Sequence, residues 1–276
     1  MSSYAYLSEL GRGTFGTVYL CEKKHNKMKI VIKEIELNSD QLTIAQNEVN
    51  ILKTLHHPNI CQYYDSFKRN NKFSIVMEYA RFGNLHDYLK NRRLYNDFLH
   101  RDLALNIICQ VLLGLEHLHS KKIIHRDLKT ENIFLSGSMK DFIKIGDFGI
   151  SKCLRNNDQA NTIIGTTNYL APEMCDGQPY DMKSDIWSFG CIMYEVCSLE
   201  RLFNGTISEV VTAIKSGQRK QIDLEHYGAD IQEVIEMTTQ IDPVLRPTTR
   251  NLMANPVFVS KLYFISVNLG QIWNCK

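Results

Sequence analysis

Apolar positions along the chain change their period once. In the first 80 residues they fall in short runs rich in β-branched and aromatic side chains, Tyr6–Leu10, Val18–Cys21 and Lys29–Ile35. A glycine-rich turn and His25-Asn26-Lys27 separate them, so the pattern predicts strands joined by turns. Ile44, Val49, Leu52 and Leu55 stand near helical spacing and predict one helix over Ile44–Leu55. Phe73–Tyr79 reads as another strand, and Ala80-Arg81-Phe82-Gly83-Asn84 breaks the pattern as a hinge would. Beyond it the period turns helical. Leu103, Ile107, Val111, Leu112, Leu115 and Leu118 form one apolar face of a long helix, and Ile186–Cys197, apolar on nearly all sides, predicts a buried central helix. Between them lie a short strand, Phe142–Ile145, and an irregular stretch from Asp147 to Glu173, long enough to suggest function.

Composition narrows the class. A chain of 276 residues with 44% hydrophobic and 22% charged positions can bury a large core, which excludes disorder as its main state. The length fits one large domain or two lobes. No uninterrupted apolar run reaches the roughly 18 residues of a membrane span, and the first residues lack a signal-peptide pattern. Net charge of +2 gives no polybasic footprint, so neither nucleic acid nor a membrane is expected as partner. The eight cysteines contain no C-x-x-C pair, which argues against a zinc site and for reduced thiols of the cytoplasm.

Candidate chemistry comes in order along the chain. Gly11-Arg12-Gly13-Thr14-Phe15-Gly16-Thr17-Val18 fits a glycine-rich phosphate loop. A dinucleotide-binding turn carries a similar triplet but leads into a helix. Here a strand follows, which favours a flap between two strands. Lys33 ends a strand, and Glu48 follows on the predicted helix. Such a pair would hold an ammonium against the α- and β-phosphates of a nucleotide. His125-Arg126-Asp127-Leu128-Lys129-Thr130-Glu131-Asn132 is the most specific signal. Its Asp127 can accept the proton of an attacking hydroxyl, and Asn132 can ligate Mg²⁺. Asp147-Phe148-Gly149 supplies a second metal ligand, and Ala171-Pro172-Glu173 closes the loop. A second tetrad, His100-Arg101-Asp102-Leu103, has Ile107 where a metal ligand would be needed. It reads as the start of the long helix, with Asp102 as its cap.

With these motifs the chain resembles eukaryotic protein kinases from about Tyr4 to Val259, and within them the NIMA-related serine/threonine kinases. Val31-Ile32-Lys33-Glu34-Ile35, His57-Pro58-Asn59-Ile60, Asn132-Ile133-Phe134-Leu135, Gly146-Asp147-Phe148-Gly149-Ile150 and Tyr180-x-x-Lys183-Ser184-Asp185-Ile186-Trp187 carry the closer likeness. The resemblance implies an α+β, two-lobed fold: a β-rich lobe over 1–80, a helical lobe over 81–260, and a tail over 261–276 that either joins a last helix or hangs loose. It implies ATP and Mg²⁺ as cofactors and protein substrates as partners, with an upstream kinase or regulatory partner. Val31, Met77, Glu78, Ala80 and Phe134 would enclose adenine. Asp185 would brace the catalytic loop, and Arg246 would pair with Glu173. Leu52, Tyr63, His125 and Phe148 would form the hydrophobic stack of an active kinase.

Lys129, two residues after Asp127, points to serine/threonine specificity, where it would steady the γ-phosphate. Phosphorylation at Thr162 is the expected activating event, with Arg126 as the cation that would meet the phosphate. Thr166 is expected to dock the substrate. Two departures from the family stand out. The link from Lys33 to Glu48 is about one helical turn shorter, and Gly165-Thr166-Thr167-Asn168 replaces Gly-Thr-Pro-Tyr. The shorter link is the one feature that favours the rival reading, a nucleotide-binding pseudokinase scaffold. Family members act on microtubule-based structures, so a cytoskeletal location is what the likeness implies.

Overall fold

The computed structural model describes residues 3–13, 16–37, 39–69, 72–137, 142–147 and 167–273. They divide into two compact units, one ending at Arg81 and the other starting at Phe82. In the first unit β1 (Tyr4–Gly13), β2 (Gly16–Lys23), β3 (Lys29–Glu36), β4 (Tyr63–Arg69) and β5 (Lys72–Glu78) form an antiparallel sheet in the order β1-β2-β3-β5-β4. Successive strand residues point to opposite faces. One face therefore collects Cys21, Ile30, Ile32 and Val76 as a buried cluster, backed by Tyr4, Tyr19, Met28 and Phe67. The opposite face carries Val18, Val31, Lys33 and Met77.

Helix α1 spans Ser39–Leu52, not Ile44–Leu55. Its first three residues, Ser39-Asp40-Gln41, are polar and suit a helix start, but they carry no apolar signal. Leu55 is buried in the turn that follows the helix. Two residues of the sequence separate β3 from α1.

The second unit is built on helices. Helix α2 (Leu85–Leu94) starts at Asn84, whose side chain accepts from Asp87 N–H, and α3 spans Arg101–Ser120. The hairpin β6 (Ile133–Ser136) and β7 (Phe142–Ile145) is followed by α4 (Pro172–Cys175) and α5 (Met182–Ser198). Then come α6 (Ile207–Ser216), α7 (Leu224–Tyr227), α8 (Ala229–Thr238), α9 (Thr249–Met253) and α10 (Pro256–Trp273). Helix α10 runs straight through residue 260, where the sequence suggested a boundary. The sequence pattern did not single out β4, β6 or α2.

Helices α3 and α5 form the core, and both are buried along most of their length. By length and composition α3 is long and apolar enough to cross a membrane, although charged and polar residues interrupt its apolar run; 61% of its apolar window is buried inside the protein. Helix α5 approaches α8 at Gly190, where an added Cβ would come within 2.7 Å of Thr239 Cγ2 and closer still to Thr238. Six cysteines among the described residues are free thiols.

The second tetrad serves packing. Arg101 makes a two-pronged ion pair with Asp230 at 2.9 and 2.6 Å, and the rings of His100 and His226 stack. Asp102 is not the cap, since His100 holds that position without a side-chain bond. It lies in the first turn of α3 and pairs with Lys261 of α10.

Candidate active site

The residues expected to carry chemistry fall into two sets, one in each unit. In the first unit Gly13 pairs with Gly16 and Gly11 with Val18, so the glycine-rich segment is the tip of the β1–β2 hairpin. Gly16 has φ +132, and a Cβ there would overlap the Glu34 carbonyl oxygen and stand 2.9 Å from its carbon. Only glycine lets β2 leave the tip this close to β3. Arg12 is exposed at the end of β1, while Thr14 and Phe15 lie outside the described residues.

Val18 faces Lys33 across β2–β3, and Val31 faces Met77 across β3–β5. Directly opposed residues share a face, so Val18, Val31, Lys33 and Met77 line one surface of the sheet. Lys33 is buried, unusual for a lysine and consistent with a role beyond solvation. Glu48 lies on α1, but its side chain falls outside the described residues. Glu78 donates its N–H to Gln62 O at 2.9 Å and accepts Gln62 N–H on Oε2 at 3.1 Å. Ala80 is buried beside it.

In the second unit a buried carboxylate organises the loop that holds His125-Arg126-Asp127. Asp185 on α5 is fully buried and accepts four hydrogen bonds. His125 N–H and His119 Nε2 reach Oδ2 at 2.9 Å each; Tyr180 O–H and Arg126 N–H reach Oδ1 at 2.9 and 3.2 Å. Arg126 has φ +68, a left-handed conformation that a non-glycine residue holds only when its surroundings over-determine it. Asp185 does so by fixing the two consecutive amides. His125 completes the brace. Its Nε2 contacts Gly146 O at 3.2 Å, and its Nδ1 accepts Asp127 N–H at 3.3 Å, which requires the neutral ring with the proton on Nε2. Burial holds its pKa below the usual histidine value, against the raising effect of nearby Asp185 and Asp127.

Thus placed, Asp127 has Oδ2 fixed by Asn132 Nδ2 at 3.0 Å and by Lys129 Nζ at 3.0 Å. Asn132 Nδ2 also donates to Asp127 O at 2.8 Å. With both amide protons directed at Asp127, the Asn132 oxygen is the atom left for a ligand. Gly146 N–H donates to Asn132 O at 2.9 Å, and Asp147 follows in a left-handed conformation, φ +52. A carboxylate and an amide oxygen are hard donors of the kind Mg²⁺ takes, completed by water and phosphate oxygens. No cluster of three His, Cys, Asp or Glu occurs among the described residues, so an all-protein metal cage is not built here. Phe134 sits on β6, and the bonds Phe82 N–H to Leu135 O and Leu135 N–H to Gly83 O fasten that strand to the start of the second unit.

Behind the loop lies a network that the sequence reading missed. Glu195, buried near the end of α5, is bonded to Tyr169 O–H and to Thr130 Oγ1 at 3.2 and 3.3 Å, and contacts His86 Nδ1 at 3.4 Å. Burial and Glu195 together push the Tyr169 phenol well above its usual range. A lone acid inside the apolar run Ile186–Cys197 was the available signal, since buried acids are rare unless paired. Further on, all five N–H donors of Arg246 are used. Glu173 takes two at 2.7 and 2.8 Å, and the carbonyls of Gln240, Ile241 and Lys183 take the others. Burial raises the Glu173 pKa, but hydrogen bonds from Arg246 and Ser184 outweigh that and hold it below the usual carboxylate value.

Phe148, Thr162 and Thr166 lie outside the described residues. Of the expected hydrophobic stack, Leu52 and Tyr63 are buried in the first unit and His125 in the second.

The protein kinase domain family matches residues 4–258. Serine/threonine-protein kinase Nek8 of Danio rerio is 39% identical over 276 residues, which cover 99% of this chain and 39% of that protein. Serine/threonine-protein kinase nekl-2 of Caenorhabditis elegans is 36% identical, with 99% of this chain and 79% of that protein covered. Serine/threonine-protein kinase Nek5 of Mus musculus is 37% identical, covering 93% and 40%. The chain thus spans about two fifths of the Nek8 and Nek5 relatives and about four fifths of nekl-2. A crystal structure of Rad53 1-466 in complex with AMP-PNP shares the fold, with a TM-score of 0.77 at 24% identity, covering 93% of this chain and 65% of that one. The chain belongs to the protein kinase domain family and, within it, to the NIMA-related serine/threonine kinases.

Proposed function

We propose that this chain transfers the γ-phosphate of ATP to serine and threonine hydroxyls of protein substrates, using Asp127, Lys129, Asn132, Asp147 and Lys33. One observation carries the reading. The Asp127 carboxylate is held through Oδ2 by Asn132 and Lys129 on a loop whose backbone is fixed by a buried aspartate. Phosphoryl transfer asks a protein mainly for positioning and electrostatic stabilisation. Asp127 orients the acceptor hydroxyl and takes its proton. Lys129 balances the charge on Asp127 and reaches toward the transferred phosphoryl group. Lys33, with Val18, Val31 and Met77 around it, orients the α- and β-phosphates, and the glycine-rich tip covers them. Asn132 and Asp147 would hold Mg²⁺, which when bound neutralises charge on the phosphate oxygens. Phosphorylation of Thr162 would add roughly −1.5 to −2 charge, for which Arg126 is the cation.

The test is transfer of radiolabelled γ-phosphate, with and without Mg²⁺, to peptides that differ only in a serine, threonine or tyrosine acceptor. Mg²⁺-dependent labelling of the serine and threonine peptides is expected. No labelling under any condition, with ATP still bound, would leave a nucleotide-binding scaffold instead.

A further inference from the structure

A pocket of about 280 Å³ opens between α2 and the end of α5, lined by His86, Lys90, Arg93, Glu195, Glu200 and Arg201. It adjoins the catalytic loop. Arg201 Nη2 donates to Glu131 Oε1 at 2.6 Å, and Glu131 belongs to the short turn Thr130–Asn132. Glu131 is the residue before Asn132, which itself holds Asp127. Glu131 stands four residues after Asp127 on the same loop, so a substrate whose acceptor sits at Asp127 would bring a neighbouring side chain past it.

A carboxylate there would attract arginine or lysine on the substrate, but it is already matched from within the chain. Arg201 Nη1 donates to Asn168 Oδ1 at 2.9 Å, and Asn168, buried, donates to Phe203 O at 2.6 Å. The Arg201 guanidinium lies 5.8 Å from the Tyr169 ring centre. The bond to Asn168 and the ring thus hold the guanidinium beside Glu131, which takes its other nitrogen. The other two carboxylates are also matched, Glu195 by His86 at 3.4 Å and Glu200 by Arg93 at 2.8 Å, and Lys90 adds a further cation at the wall.

We propose that Arg201 is a specificity-determining residue: by neutralising Glu131 within the chain, it excludes arginine and lysine from the substrate position beside the catalytic turn. This deepens the kinase reading and rests on it. A basic side chain entering the pocket would have to displace an anchored guanidinium and face Lys90 and Arg93. Repulsive elements of this kind set specificity as effectively as attractive ones. Removing Arg201 leaves Glu131 as an acidic subsite that an arginine or lysine of the substrate can fill with a charge-assisted hydrogen bond.

The experiment scans one arginine against alanine through every position around a single acceptor and measures the ratio of kcat/KM for the two peptides. In Arg201→Ala the ratio should rise about tenfold, a change of about 1.4 kcal/mol, at one or two neighbouring positions only. Arg201→Lys should keep the wild-type ratio, and Glu131→Gln with Arg201→Ala should lose the gain. Arg201→Gln, which can still bond Asn168, serves if the alanine variant does not fold. An unchanged ratio at every position, or a gain that survives Glu131→Gln, overturns the assignment. So does loss of transfer to the alanine peptides, which would make Arg201 a positioning residue for the turn. Equilibrium binding of the same peptides, labelled with a fluorophore, decides the matter without catalysis. A variant that gains no affinity for the arginine peptide refutes the specificity role, whereas a gain in binding with no transfer by the wild-type chain either counts only against the kinase reading.

Discussion

Asp185→Asn tests how the catalytic loop is held. The substitution keeps size and shape but replaces one of two acceptor oxygens with an amino group. Each oxygen of Asp185 receives one backbone amide, Oδ2 from His125 and Oδ1 from Arg126. Tyr180 can rotate its hydroxyl to accept, and His119 can exchange its ring proton, but a backbone amide can do neither. Whichever way the substituted side-chain amide turns, one buried N–H of the catalytic loop loses its partner. Leaving such a group unmade costs about 1–3 kcal/mol. Bonds to a charged acceptor contribute about 1.5–3 kcal/mol each against about 1 for neutral ones, so the three that persist also weaken. The total comes to roughly 3–5 kcal/mol. At about 2–4 °C per kcal/mol for a domain of this size, the melting temperature should fall by about 10 °C. Arg126 would then relax from its left-handed conformation and carry Asp127 with it, so kcat should fall at temperatures where the variant is folded. Calorimetry and steady-state kinetics on the same preparation measure both. A melting temperature within about 2 °C of wild type, with unchanged kcat, would refute the bracing role.

Arg246→Ala leaves the half-buried Glu173 carboxylate and three carbonyls without their donor and should cost about 3–5 kcal/mol in denaturant unfolding; a loss under about 1 kcal/mol would contradict it. Gly190→Ala pushes a methyl group into Thr238 and Thr239 and should cost about 1–3 kcal/mol, whereas a neutral result would mean that α5 and α8 can separate freely. His125 has a folded pKa below its unfolded value near 6.5, so its contribution to stability is full above that pH and is lost as pH falls beneath it. His125→Phe should flatten the decline of stability between about pH 6.5 and 5, and an identical slope would show that His125 does not titrate there.

The sequence was most legible where chemistry demands residue types at fixed spacing. Asp127, Asn132 and Asp147 are read from their motifs, and the structure links the first two directly and sets the third beside them through Gly146. Long apolar periods located α3 and α5 because burial on several sides leaves few alternatives. The start of α1 escaped because its first three residues are polar, and α2 because only Leu85 and Leu89 are buried in ten residues. The support around the site was the least legible part. Tyr169, Glu195, Thr130 and Arg201 come from four separate stretches and meet only through tertiary packing. The second tetrad shows the converse, since its letters repeat the catalytic motif while its contacts, to Asp230, His226 and Lys261, are those of a helix start.

That pair of tetrads offers the most direct test of the central claim. Asp127→Asn and Asp102→Asn make the same chemical change in the same four-letter context, and γ-phosphate transfer to a serine peptide at saturating ATP and Mg²⁺ compares them. Removal of a general base lowers the rate by about 10² to 10⁴, so Asp127→Asn should be nearly inactive while Asp102→Asn keeps wild-type turnover. Turnover of Asp127→Asn within about threefold of wild type, far less than removal of a general base costs, would contradict the account.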